Sequence, residues 1–105
     1  MDYKIYTTEK FDREFEKLSK EEQKRINKIF LQLKENPWVG DQLQIKSLRE
    51  KRLTKKRIYY IVFDDLKCVL VVAISDKKTQ QDTIDYILRD IEKYKIYLEN
   101  LLRKL

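Results

Sequence analysis

The chain has 105 residues, the length of one ordinary domain, and 42% of them are apolar, enough for a core without disulfide staples. Charged residues make up 40%, against about a quarter in an average domain, so the surface is dense with charge. With no histidine and a single cysteine, the chain lacks an internal disulfide, the commonest metal ligand and the usual general base. No carboxylate cluster at metal spacing replaces them, and no metal or other cofactor is expected.

Residues 2–7, Asp-Tyr-Lys-Ile-Tyr-Thr, alternate polar and apolar and predict an opening strand. Thr7 or Thr8 then caps a helix with Phe11, Phe15 and Leu18 along one stripe. Ser19-Lys20-Glu21-Glu22 reads as a capping box that starts a second helix. Ile26, Ile29, Phe30 and Leu33 stand at helical spacing along it, and Asn36-Pro37 ends it. Two helices joined so closely predict an antiparallel hairpin.

After the lone glycine, Gly40, strands are predicted at about 44–53, 56–63 and 68–74. Asp64-Asp65-Leu66-Lys67 supplies the turn between the last two. Both are apolar at odd and even positions, so the sheet needs cover on both faces. The longest apolar run, Cys68 to Ile74, falls far short of the roughly twenty residues that span a bilayer. Cys68 within it reads as a small buried hydrophobe in a reducing cytosol. Met1-Asp2-Tyr3-Lys4 shows no basic start leading into an apolar stretch, so no secretory signal is visible and a cytoplasmic location is expected. From about 80 to 104, Ile84, Ile87, Leu88, Ile91, Tyr94, Leu98, Leu101, Leu102 and Leu105 recur every three or four residues without Gly or Pro. They predict one long amphipathic helix, which either folds back on the sheet or projects to pair with another chain, the second arrangement making a homodimer. The expectation is a single α+β domain, 1–105, in the order β-α-α-β-β-β-α.

The net charge of +6 is concentrated. Between Gln44 and Arg57 lie Lys46, Arg49, Lys51, Arg52, Lys55, Lys56 and Arg57, with Glu50 the one acid, while the rest of the chain sums to zero. A run of this kind is often just a solvated face. Its concentration against a neutral background instead predicts a site for a polyanion such as RNA.

The order of elements and two stretches resemble the RelE/ParE superfamily of bacterial and archaeal toxins. The stretch EEQKRINKIFLQLKENPWVGDQL, Glu21 to Leu43, is similar to the family's second helix with its Asn-Pro, glycine and leucine. LREKRLTKKRIYYIVFDD resembles the family's basic hairpin, whose third strand opens with an arginine ahead of an aromatic-aliphatic run. The similarity covers about residues 3–90. It implies a small twisted antiparallel sheet with a helical hairpin on one face. It also implies one of two activities: messenger RNA cut, usually in the ribosomal decoding site, by the RelE branch, or gyrase poisoned by the ParE branch. Either activity is restrained by a cognate antitoxin. A third reading is an RNA-binding homologue without activity.

Internal RNA cleavage requires attack of a 2′-OH on the adjacent phosphate, with the developing charge stabilised and two protons moved. Without histidine, Arg, Lys and Tyr can supply this: arginine grips phosphate with a permanently charged fork, and a lysine crowded by cations becomes a better base. Arg57 matches the family's third-strand arginine, which binds phosphate in RelE-type enzymes. Lys77 and Lys78 fall near another of its catalytic cations, and Arg49 and Lys51 lie where it carries functional lysines. Lys46, Arg52, Lys55 and Lys56 are expected to hold the RNA backbone. Tyr86 is the nearest counterpart of the family's tyrosine for base stacking or proton transfer, a few residues late. The chain also has Lys55-Lys56 where the family commonly has a glycine and an aromatic residue.

Overall fold

In the computed structural model, which describes residues 2–105 and leaves Met1 outside, strand β1 (Lys4–Thr7) runs directly into helix α1 (Glu9–Glu16). Thr8 caps this helix, its hydroxyl accepting from the Phe11 N–H at 3.1 Å. Helix α2 (Lys20–Glu35) opens with the predicted capping box. The Glu22 N–H donates to Ser19 Oγ, and the Ser19 N–H donates back to the Glu22 carboxylate. That hydrogen bond from the Ser19 backbone holds the Glu22 carboxyl below its ordinary value. Asn36 ends the helix and caps the following 3-10 turn, Pro37–Val39.

Four strands and two helices complete the chain: β2 (Asp41–Leu43), β3 (Ile45–Leu53), β4 (Lys56–Phe63), β5 (Cys68–Asp76), α3 (Gln80–Arg89) and α4 (Ile91–Arg103). They form one five-stranded sheet in the order β1-β5-β4-β3-β2. Four of its strands pair antiparallel, and β1 joins β5 in parallel.

The architecture is the expected α+β one, with three differences in detail. β2 is an added strand, too short at three residues for alternation to reveal it. The parallel edge arises because the chain, after β1 and the α1–α2 hairpin, re-enters the sheet at its far edge with β2 and returns through β3 and β4 to β5, which lies beside β1 and runs the same way. The long C-terminal helix is two helices, parted at Asp90, whose backbone (φ −102°, ψ 14°) leaves the helical range. Over 80–104 a straight helix would measure about 37 Å, longer than the 34 Å greatest extent of the molecule. The break folds α4 back onto the sheet.

Each face of the sheet is covered. Ile58, Tyr60, Val62, Val69 and Val71 pack with Phe11, Ile26 and Leu33 of the N-terminal hairpin. Tyr59, Ile61, Phe63, Leu70, Val72 and Ala73 pack with Ile84 and Ile87 of α3 and Leu98 of α4. The C-terminal stripe therefore lies against its own sheet, the first of the two arrangements its periodicity left open. Cys68 is buried in this second layer. Among the described residues no helix is long and apolar enough to cross a membrane.

Candidate nucleic-acid interface

The basic hairpin β3–β4 presents its cations on two faces, because residues directly opposite one another in a ladder share a face. Arg52 lies opposite Arg57, and Glu50 opposite Tyr59. All four side chains therefore stand on the α3–α4 face. Ser75, opposite Arg57 on β5, stands there too. Arg49, opposite Tyr60, Lys51, opposite Ile58, and Lys56, opposite Leu53, take the α1–α2 face. The seven cations are not one cradle.

On the α3–α4 side, Arg52, Thr54, Lys55, Arg57 and Lys77 line one pocket of about 270 Å³. These side chains come from β3, the tight turn at its end, the first residues of β4 and the turn after β5. That last turn is built by Asp76, whose carboxylate accepts from the Thr79 N–H and hydroxyl at 3.0 and 3.1 Å. The backbone hydrogen bond lowers the Asp76 carboxyl below its ordinary value. Lys78 is exposed in the same turn but does not line the pocket. At the hairpin tip Thr54 adopts φ 45°, unusual for a β-branched residue. The Arg25 guanidinium of α2 donates to its hydroxyl and helps hold the tip in place.

Arg57 is only 7% exposed and Glu50 only 6%. Arg57 Nε lies 3.3 Å from Glu50 Oε1, close enough for charge pairing but without hydrogen-bond alignment. The hydrogen bond to that carboxylate oxygen comes from Gln80 Nε2, at 2.7 Å. Behind Arg57, the Tyr59 hydroxyl and Ser75 Oγ lie 2.7 Å apart, and burial raises the Tyr59 phenol above its ordinary value. A like-charged pair directly opposite, Arg52 and Arg57, is unfavourable in a sheet, and Glu50, two residues along β3 on the same face, offsets it.

Most of the remaining candidates have other partners. Arg49 donates to the carbonyls of Lys46, Trp38 and Gly40, at 2.9, 3.3 and 3.1 Å, and stacks on Trp38, 5.0 Å from the ring centre. This guanidinium pins the Pro37–Gly40 loop. Lys46 lies over the same indole at 5.3 Å. Lys56 pairs with Glu22 at 3.6 Å, and Lys51 is half-buried on that face. Tyr86 is half-buried with the α3–α4 core, and its hydroxyl accepts from Lys10 Nζ at 2.9 Å, which also sits over the ring. It does not line the cationic pocket. Glu50 and Gln80 were missed by sequence reasoning. The available signal was Glu50 itself, the one acid in a stretch of seven cations.

No family model matches the sequence, and no curated protein does. Solved structures do match. A two-site mutant of the Escherichia coli toxin RelE in the free state superposes with a TM-score of 0.73 at 18% identity, covering 85% of this chain and 98% of that one. The archaeal RelE–RelB complex from Pyrococcus horikoshii gives 0.67 at 18%, with 73% and 97% covered. The RelBE2 toxin–antitoxin complex of Mycobacterium tuberculosis gives 0.65 at 18%, with 73% and 100% covered. The chain has the fold of the RelE toxins over nearly their whole length.

Proposed function

We propose that this protein is a RelE-type toxin that binds messenger RNA through the Arg52–Lys55–Arg57–Lys77 pocket and cleaves it, on the ribosome, by attack of a 2′-OH on the neighbouring phosphate. The observation that carries the reading is the convergence, on a RelE fold, of these four cations into one pocket. In this reading Arg57 and Arg52 stabilise the charge that develops on the phosphate, and Lys77 moves a proton at the attacking or leaving oxygen. Lys55, at the pocket rim, holds the backbone of the strand. An antitoxin partner belongs to the same proposal, since the similar RelE chains are solved in complex with RelB-type partners.

The test is expression under tight control, with the 5′ ends of cellular transcripts mapped. Growth arrest with new, in-frame transcript ends is expected. Lys77→Ala, an exposed position, should lower cleavage by about a hundredfold, a usual share for a proton-transfer group, without changing thermal stability. Arg57→Ala should abolish cleavage, but it also leaves Glu50 buried without its partner, so its folded fraction must be measured alongside. Intact transcripts in arrested cells would overturn the reading. A second reading, RNA binding without cleavage, is favoured by the engagement of Tyr86 with Lys10, which leaves the pocket without an aromatic residue. It predicts RNA affinity that falls steeply with salt and no cut ends.

A further inference from the structure

We infer that Glu50 is a positioning residue for Arg57, holding the guanidinium by its Nε side so that its terminal nitrogens serve an anion in the pocket, and damping the pocket's positive charge. The inference rests on the proposed reading of the pocket and adds to it a group that touches no substrate.

A carboxylate buried at 6% exposure must be compensated by charge and hydrogen bonds, or it would not remain inside. Glu50 has one of each: Arg57 Nε at 3.3 Å and the Gln80 amide at 2.7 Å. The Arg57 side chain in turn makes no hydrogen bond with any described residue, and its Nε is fully enclosed beside Glu50. Its pocket-lining surface is therefore the outer part of the guanidinium. A fork held from behind by an anion, with its terminal N–H groups unused, is suited to phosphate.

The same carboxylate reaches the opposite wall. Gln80 is the first residue of α3 and directly follows the Asp76-built turn that carries Lys77. Glu50 on β3 thus ties Arg57 on β4 to the turn beyond β5. It sets the spacing between two cations that would act on the same phosphodiester. Small errors in such spacing cost rate far more than they cost binding.

Placing and damping have opposite effects when the charge is removed. Glu50→Gln keeps the shape and an oxygen for Gln80 but removes the negative charge, so inorganic phosphate should bind tighter, by about tenfold. RNA cleavage should fall by about tenfold or more, because Arg57 is no longer held. A role in stability alone would lower both signals together, in proportion to the folded fraction. Phosphate affinity is measured by calorimetry, and cleavage by single-turnover assay of an RNA message on ribosomes. Tighter phosphate with slower cleavage is the expected result. Parallel losses, or no change in either, would overturn the inference.

If Glu50→Gln fails to fold, Gln80→Ala decides. It leaves the ion pair in place and cuts only the tether. Slower cleavage at unchanged phosphate affinity supports the inference, and unchanged cleavage refutes it. If the unmodified protein cuts no RNA, the proposed activity fails on its own. The phosphate arm then decides for Glu50's influence on the pocket, with a gain in the Gln variant supporting its damping of the charge on Arg57 and the absence of a gain refuting it.

Discussion

The residue that best shows how burial shapes chemistry here is Tyr60. Its hydroxyl donates to the Pro37 carbonyl at 2.8 Å and accepts from the Gly40 N–H at 3.0 Å, on a fully buried ring. Gly40 is required there, since a Cβ would lie 2.7 Å from the Glu50 carbonyl oxygen and collide with the Tyr60 hydroxyl. Burial pushes the Tyr60 phenol from its ordinary 10 up to about 12. A phenol whose folded value is raised contributes stability that is complete below pH 10 and is lost as pH rises through about 12. Unfolding free energy measured in denaturant should therefore fall between pH 10 and 12. Tyr60→Phe should reduce that fall while costing about 1–3 kcal/mol at neutral pH, because the Gly40 N–H loses its acceptor. Tyr94, also raised to about 12 by burial, accounts for part of the alkaline loss that remains in the variant.

Among the elements, α4 has the most slender hold on the rest of the molecule. Leu98 is its one fully enclosed side chain, with Tyr94, Tyr97 and Leu102 half-buried around it. A hydrogen bond from the Tyr97 hydroxyl to the Thr7 carbonyl, at 3.4 Å, ties it to β1. Leu98→Ala should cost about 2–4 kcal/mol by the usual toll for an enclosed leucine. Hydrogen exchange should show that loss first as opening of 91–103 rather than of the β4–β5 core. If protection falls evenly across the sheet instead, α4 is an integral part of the core and not an appended element. The basic hairpin is the contrary case. Arg49 on one face and Glu50 on the other hold it to the Pro37–Gly40 loop and to α3.

At the scale of the whole molecule, what the sequence made legible was whatever depends on local periodicity. The Ser19 box, the Asn36-Pro37 stop, the Asp64–Lys67 turn and the need to cover both faces of β4 and β5 are all found where expected. Less legible were features decided by distant partners. β2 has three residues and no pattern of its own. The parallel placement of β1 depends on where β5 lies, and the break at Asp90 on how far the sheet extends. For the candidate site, the charge count pointed to the β3–β4 hairpin, but a count carries no direction. Alternation sent Arg49, Lys51 and Lys56 to one face and Arg52 and Arg57 to the other. The carboxylate that joins the two walls of the pocket lies within the run itself, outnumbered seven to one.

The sheet also contains a phase change. Tyr60 pairs with Val71, yet its neighbour Tyr59 pairs with Ala73, so Val72 is a supernumerary residue in β5. Upstream of it, odd-numbered β5 residues meet the N-terminal hairpin; beyond it they turn to the opposite layer, and Ser75 arrives beside Arg57. Were β5 to pair regularly through Val72 instead, its first half would keep its register, but Ser75 would fall opposite Lys56 and turn away from Arg57. The two halves of β5 thus turn residues of like parity to opposite layers, and a single unpaired backbone unit separates them.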